Sequence, residues 1–279
     1  MDLKILLDIP PWEWPPDAGK MFRKALNDRR ANPSDRLVAA ELAGDSTVID
    51  DSMANALLSV VRSAAEPEQL RAKAAISFGP ALEMAWTELD EDRESFVDPE
   101  IVPITEEMFH DIVESLQALY RDTNTPKQVR RRILEASVRA PQPWHEEAVR
   151  DAYGSGDQEW VLTAVFAMRF IRGFESETLA SLESADPDIH FQAVVAAGNK
   201  ELDAAWPHIF ALVKNDGTEK DLRIAAIEAI AQIRPDEARE ILVDLADSED
   251  EDIADAADEA LSLMETPPDD EDDEDESIN

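Results

Sequence analysis

The stretch 221–235, DLRIAAIEAIAQIRP, repeats its pattern of small and apolar residues at six other places, and this recurrence constrains the fold more than any bulk property does. Within it, Leu222, Ala225, Ala226, Ala229, Ile230 and Ile233 lie three or four residues apart, which places them on one stripe of a helix. Arg223 and Glu228 fall off that stripe. Aligning Arg223 with the rest of the chain brings Arg36, Arg71, Arg130, Val161, His190 and Ala254 to the same position. Three residues on come Ala39, Ala74, Ala164, Ala193 and Ala257, with Ile133 as the exception. Another three on come Ala136, Ala167, Ala196 and Ala260, with Leu42 and Ser77 departing. A side chain that ends at Cβ lets a neighbouring helix approach closely, so alanine at this spacing suits helices stacked side by side. The aligned positions are about 30–35 residues apart, with one longer interval between Arg71 and Arg130, so each unit is one supersecondary element leaning on its neighbours.

The pattern predicts an all-α chain, an α-solenoid of about seven stacked antiparallel helix pairs. The segments QLRAKAAISFG, QVRRRILEASV, DLRIAAIEAIA and DIADAADEALS resemble the second helix of a HEAT repeat, especially the short, bilin-lyase-like variety. The resemblance runs over roughly residues 35–265. It implies a fold and leaves function open, because that family includes scaffolds, adaptors, bilin lyases, DNA glycosylases and a di-iron hydroxylase.

Composition narrows the choice. The chain contains no cysteine, so disulfides and thiolate metal sites are excluded. Its formal net charge of −37 opposes binding to nucleic acid and to anionic membranes, which both require Lys and Arg to displace counterions. The apolar runs are too short to span a bilayer, and MDLKILLDIPPWEW has neither a basic leader nor a small-residue cleavage site. A cytoplasmic protein is expected. The four histidines, His110, His145, His190 and His208, show no metal-ligand spacing, and only His145-Glu146 forms the His-Glu doublet that the hydroxylase resemblance would require several times. No metal, cofactor or catalytic group is predicted.

Along the chain, residues 1–16 end in PPWEWPP and are read as an extended cap in which Trp12 and Trp14 cover the first helices, or alternatively as a docking motif. Asp17 is positioned to cap the first helix. Residues 17–265 form the solenoid. It is interrupted at 90–103, DEDRESFVDPEIVP, which reads as an acidic loop or as an ordered lid. Residues 266–279 contain eight acids and no base and are expected to be disordered.

Charge is unevenly spread. Residues 120–172 carry nine Arg or Lys against seven Asp or Glu. Their centre is Arg130, Arg131 and Arg132, three consecutive arginines that splay around a helix so that at least one should face the groove. Guanidinium suits recognition of acidic groups, although pairing with Glu135 and its neighbours is the plainer reading. Trp144 and Trp160 lie nearby in sequence and could stack on a ligand or simply pack in the core. His190 and Arg223 occupy the repeated basic position; His190 is read as a groove-edge residue, and both join Arg130, Arg131, Arg132, Trp144 and Trp160 as candidate partner-binding residues. The expected function is a non-enzymatic scaffold that binds a peptide or protein in the groove through the basic central helix. An intramolecular contact with the acidic tail is a related reading. The alternative is a bilin-lyase-like protein holding a tetrapyrrole or other small molecule.

Overall fold

The computed structural model describes residues 3–89 and 102–265. The acidic stretch 90–101 and the tail 266–279 lie outside them. The chain forms two compact units, residues 1–171 and 172–279, and the described residues contain fifteen α-helices.

In the first unit, α1 (Ala18–Asn27) pairs with α2 (Pro33–Leu42), and α3 (Asp51–Arg62) pairs with α4 (Glu68–Ile76). After α5 (Gly79–Leu89) come α6 (Glu106–Arg121) with α7 (Lys127–Ser137), and α8 (Pro143–Gly154) with α9 (Gln158–Met168). In the second unit the pairs are α10 (Glu175–Ser181) with α11 (Pro187–Asn199), α12 (Trp206–Lys214) with α13 (Lys220–Ile233), and α14 (Pro235–Ala246) with α15 (Glu251–Glu265). Short turns join the partners of each pair, and such turns force the helices to run antiparallel. The result is solenoid-type stacking of helix pairs within each unit, four pairs with α5 supernumerary in the first and three pairs in the second. Second helices stack on second helices, α2 on α4, α4 on α7 and α7 on α9 in the first unit, and α11 on α13 and α13 on α15 in the second. No helix among the described residues is long and apolar enough to cross a membrane.

The alanine columns are the stacking surface. Ala39, Ala74, Ala136, Ala164 and Ala167 are fully buried in the first unit, as are Ala193, Ala196, Ala226 and Ala257 in the second. The closest approach is at Gly198 on α11, where an added Cβ would lie 2.9 Å from both Cα and Cβ of Ala229 on α13. Gly198→Ala should therefore lower stability by about 1–3 kcal/mol through overpacking, outweighing the gain of about 1 kcal/mol in helix propensity. A thermal unfolding curve at or above that of the parent chain would refute this.

Two expectations about the chain's local course need correction. The segment 67–89, whose apolar pattern suits a single helix, is broken after Ser77. Pro80 has no N–H to continue a helical ladder, and its ring would clash with the carbonyl of Ile76. The Ser77 hydroxyl instead donates to the Ala40 carbonyl (2.6 Å), Phe78 is fully buried, and α5 departs to pack on α6 and α7. The N-terminal segment is not extended either, since Leu3–Asp8 and Pro11–Glu13 are 3-10 helices. Proline cannot donate but accepts well here: Glu13 N–H bonds to the Pro10 carbonyl (2.9 Å) and Trp14 N–H to that of Pro11 (3.1 Å). Asp17 does precede α1, but its side chain makes no cap bond.

Candidate functional site

The repeated arginine has a role the sequence did not suggest. The last turn of any helix leaves carbonyls without intrahelical partners. In four pairs, the arginine in the first turn of the second helix reaches back ten residues to one of these carbonyls. Arg36 bonds to Leu26 (2.8 Å), Arg71 to Val61 (2.9 Å), Arg130 to Tyr120 (2.7 Å) and Arg223 to Val213 (3.1 Å). The basic column is thus a clamp within each of these four pairs. Where it holds Val161 or Ala254 no such bond is available, and His190 bonds to His208 instead.

What surrounds each guanidinium differs. Arg36 is buried against the Glu66 carboxylate (2.6 Å), and Arg223 pairs with Asp216 (3.0 Å). Arg71 is buried in the field of Asp122 and Glu68, with its pKa lowered by burial. Arg130 is half-buried, and among the described residues no carboxylate lies within ion-pair distance of it. Its guanidinium carbon instead lies 5.1 Å from the centroid of the Tyr120 ring and 5.6 Å from that of Trp160. Five residues before the aligned position, where Glu66 stands relative to Arg71 in the second pair, the fourth pair has Gly156. That residue has a φ of 70°, and nothing lies within 4 Å of its would-be Cβ.

The space beside Arg130 is a cavity of about 320 Å³ formed by the end of α6, the start of α7, one face of α8 and the start of α9. Tyr120, Trp144 and Trp160 supply its aromatic wall. The Tyr120 ring is 5.0 Å from that of Trp144 and edge-on to that of Trp160 at 6.2 Å. Arg121, Glu147 and Asp151 supply exposed charge at its rim. Burial pushes the Tyr120 phenol up, against the opposing pull of Arg130. Trp144 is itself buried, and its Nε1–H has no hydrogen-bond partner among the described residues. A guanidinium beside two aromatic rings, with both terminal nitrogens uncommitted among the described residues, is equipped to receive a planar anion.

The structure therefore brings together three of the nominated residues, Arg130, Trp144 and Trp160, and separates the others. Arg131 is corrected to a structural role, because it points inward, only 5% exposed. Its Nε–H donates to Thr163 (2.9 Å), its Nη1 to Glu159 (2.9 Å), and Glu135 lies 3.9 Å away. Arg132 faces outward, paired with Glu135, into a second groove of about 710 Å³ between α4 and α7 that Lys73 also lines. Arg223 is held by its clamp and by Asp216. His190 bonds across to His208, with Nε2 atoms 3.0 Å apart, and His208 in turn meets Glu183 (3.2 Å). Burial and the neighbouring His208 lower the pKa of His190. In the N-terminal pair, Trp14 is committed to the protein, donating to the carbonyls of Leu6 (3.0 Å) and Ile9 (3.1 Å) and packing edge-on against Phe22. Trp12 is 79% exposed.

Tyr120, Arg121, Glu147 and Asp151 were not anticipated. Tyr120 and Arg121 come from a further helix, α6, whereas Glu147 and Asp151 share a face of α8 with Trp144. The His145-Glu146 doublet is not a ligand pair. His145 is fully buried, with Nδ1 accepting from the Gln142 N–H (2.8 Å) and Nε2 bonded to Ser137 (2.9 Å). Among the described residues, no cluster of three His, Asp or Glu could hold a metal ion.

Residues 175–262, most of the described part of the second unit, match the family model for HEAT repeats. No curated protein matches the sequence. Among solved structures, the chain is similar to human deoxyhypusine hydroxylase in complex with glycerol, at 16% identity over 91% of this chain and 86% of that one, with a TM-score of 0.41. It is also similar to a chain from a structure described as Kap95p binding that induces the switch loops of RanGDP to adopt the GTP-bound conformation. There the identity is 16% over 94% of this chain and 42% of that one, with a TM-score of 0.38. Both likenesses concern the fold alone.

Proposed function

We propose that this chain, a HEAT-repeat protein, is a non-catalytic cytoplasmic scaffold that docks a segment of a protein partner. The observation that carries this reading is the α6–α9 cavity, where an arginine with no carboxylate partner among the described residues sits against the rings of Tyr120 and Trp160, with Trp144 in the same wall. Helical repeats present such surfaces on rigid elements, so binding costs little ordering of the scaffold. Aromatic and arginine side chains also dominate interface energetics where they are desolvated together. The net charge of −37 favours a partner whose surface is basic overall.

The test is capture from the source cell's lysate on the intact chain, on Trp160→Ala and on a control in the second unit, Lys214→Ala, with thermal unfolding measured for each. Truncating an interfacial tryptophan costs about 2 kcal/mol or more, so Trp160→Ala should lose the bound protein while Lys214→Ala retains it. Equal capture by a folded Trp160→Ala would overturn the assignment of the cavity.

A further inference from the structure

We infer that the α6–α9 cavity recognises a carboxylate side chain, Asp or Glu, on a partner segment whose flanking residues are basic. This rests on the scaffold reading and specifies its ligand. The first argument is internal to the protein. Arg36 and Arg130 hold the same clamp bond in their respective pairs, but Arg36 is completed by the Glu66 carboxylate at 2.6 Å, whereas Arg130 is completed by no carboxylate among the described residues. Beside Arg130 the chain has a cavity of about 320 Å³. A ligand carboxylate entering it would do for Arg130 what Glu66 does for Arg36. The Tyr120 and Trp160 rings lie 5.1 and 5.6 Å from the guanidinium carbon, and the fork of a guanidinium suits a planar, bidentate anion.

The second argument is charge. Glu147 and Asp151 stand exposed at the rim of the same cavity, and the whole chain carries −37. A uniformly acidic segment would gain contacts at Arg130 and at Arg121 on the rim, and be repelled by Glu147, Asp151 and the net charge of the chain. A lone carboxylate between basic residues satisfies Arg130 and both rim acids at once. This disfavours the chain's own tail, whose eight acids include no base, as the occupant.

The test uses the full-length chain and three fluorescently labelled peptides, KKEFKK, its isostere KKQFKK and the all-acidic EEEFEE, with affinity read by anisotropy at near-physiological salt. Non-specific attraction to an acidic protein ranks KKQFKK tightest, because it carries one more net positive charge. The proposal ranks KKEFKK tighter than KKQFKK by about tenfold or more, the scale of a charge-assisted hydrogen-bonded pair, with EEEFEE weakest. Arg130→Gln should abolish the preference for Glu over Gln. Because Arg130 also clamps Tyr120, a second variant guards the result: Glu147→Gln with Asp151→Asn, both exposed, should weaken both basic peptides and leave their ratio intact. KKQFKK binding as tightly as KKEFKK, EEEFEE binding tightest, or no binding by any peptide up to millimolar concentration each overturns the carboxylate site. If lysate capture still depends on Trp160 in those cases, the scaffold reading survives without it; if that dependence is absent too, both fail.

Discussion

Glu66→Ala is expected to destabilise the first unit by about 3–5 kcal/mol, while replacing Arg36 and Glu66 together by methionine should cost distinctly less. Arg36 is 5% exposed, with Nη1 bonded to Glu66 at 2.6 Å, Nη2 to the Leu26 carbonyl at 2.8 Å, and Nε without any partner. Taking away the carboxylate alone leaves a buried cation with one carbonyl for company. Arg29, which also reaches Glu66 at 3.1 Å, is largely exposed and can turn to water. Taking away both charges removes the desolvation penalty along with the attraction, which is why paired apolar replacements of buried ion pairs are often neutral or better. The hydrogen bond from Arg36 holds the Glu66 carboxyl below its ordinary range. Its stabilisation is therefore complete above the unfolded-state value and is lost as pH falls through the lowered one. Urea unfolding of the two variants at pH 7 decides the matter: a double variant less stable than Glu66→Ala would show that the pair stabilises by more than its mutual satisfaction.

The same pair explains what the sequence could and could not reveal. The alanine columns were legible because close helix approach demands small side chains at fixed spacing, and Ala226 or Ala193 has no other way to satisfy it. The break at Ser77 was harder to read. The apolar pattern continues through Phe78, Ala81 and Leu82, and only Pro80 signals that the ladder stops. The arginine column was visible as a column, but its role was inverted. A cation repeated at the start of second helices suggests a charged groove, whereas its backbone partner ten residues earlier leaves no trace in side-chain identity. Arg131 shows the same limit. Three adjacent arginines differ only in azimuth, and one step along the helix separates the inward Arg131, tied to Thr163 and Glu159, from the outward Arg132. The cavity was half legible, through Arg130, Trp144 and Trp160. Tyr120, Glu147 and Asp151 join it only once α6 and α8 are packed.

Acid should loosen that cavity from beneath, through His145. This residue lies in the first turn of α8, fully buried, with its ring 3.9 Å from that of Trp144. Because Nδ1 accepts from the Gln142 N–H, the ring proton is on Nε2 and is donated to the Ser137 hydroxyl. A proton added to Nδ1 would break the cap bond and leave a buried charge without a counter-ion. Burial accordingly pushes the His145 pKa down to about 3. In the unfolded chain the imidazole titrates near its ordinary value of about 6.5. The sign follows directly. Between about pH 6.5 and pH 3 the unfolded state binds a proton that the folded state refuses, so stability falls by up to about 1.4 kcal/mol per pH unit from this group alone. Acid-labile carboxylates such as Glu66 contribute at the lower end of that range, so the group is isolated by comparison with His145→Asn, which can keep the Gln142 bond and cannot titrate. At pH 7 the variant should be the less stable of the two, having lost the Ser137 contact. By pH 4.5 the parent chain should have lost about 2–3 kcal/mol more than the variant, and the two stabilities should converge or cross. Parallel pH profiles would show that His145 is protonated without cost, and the packing under Trp144 would then have to be far more open than its burial indicates.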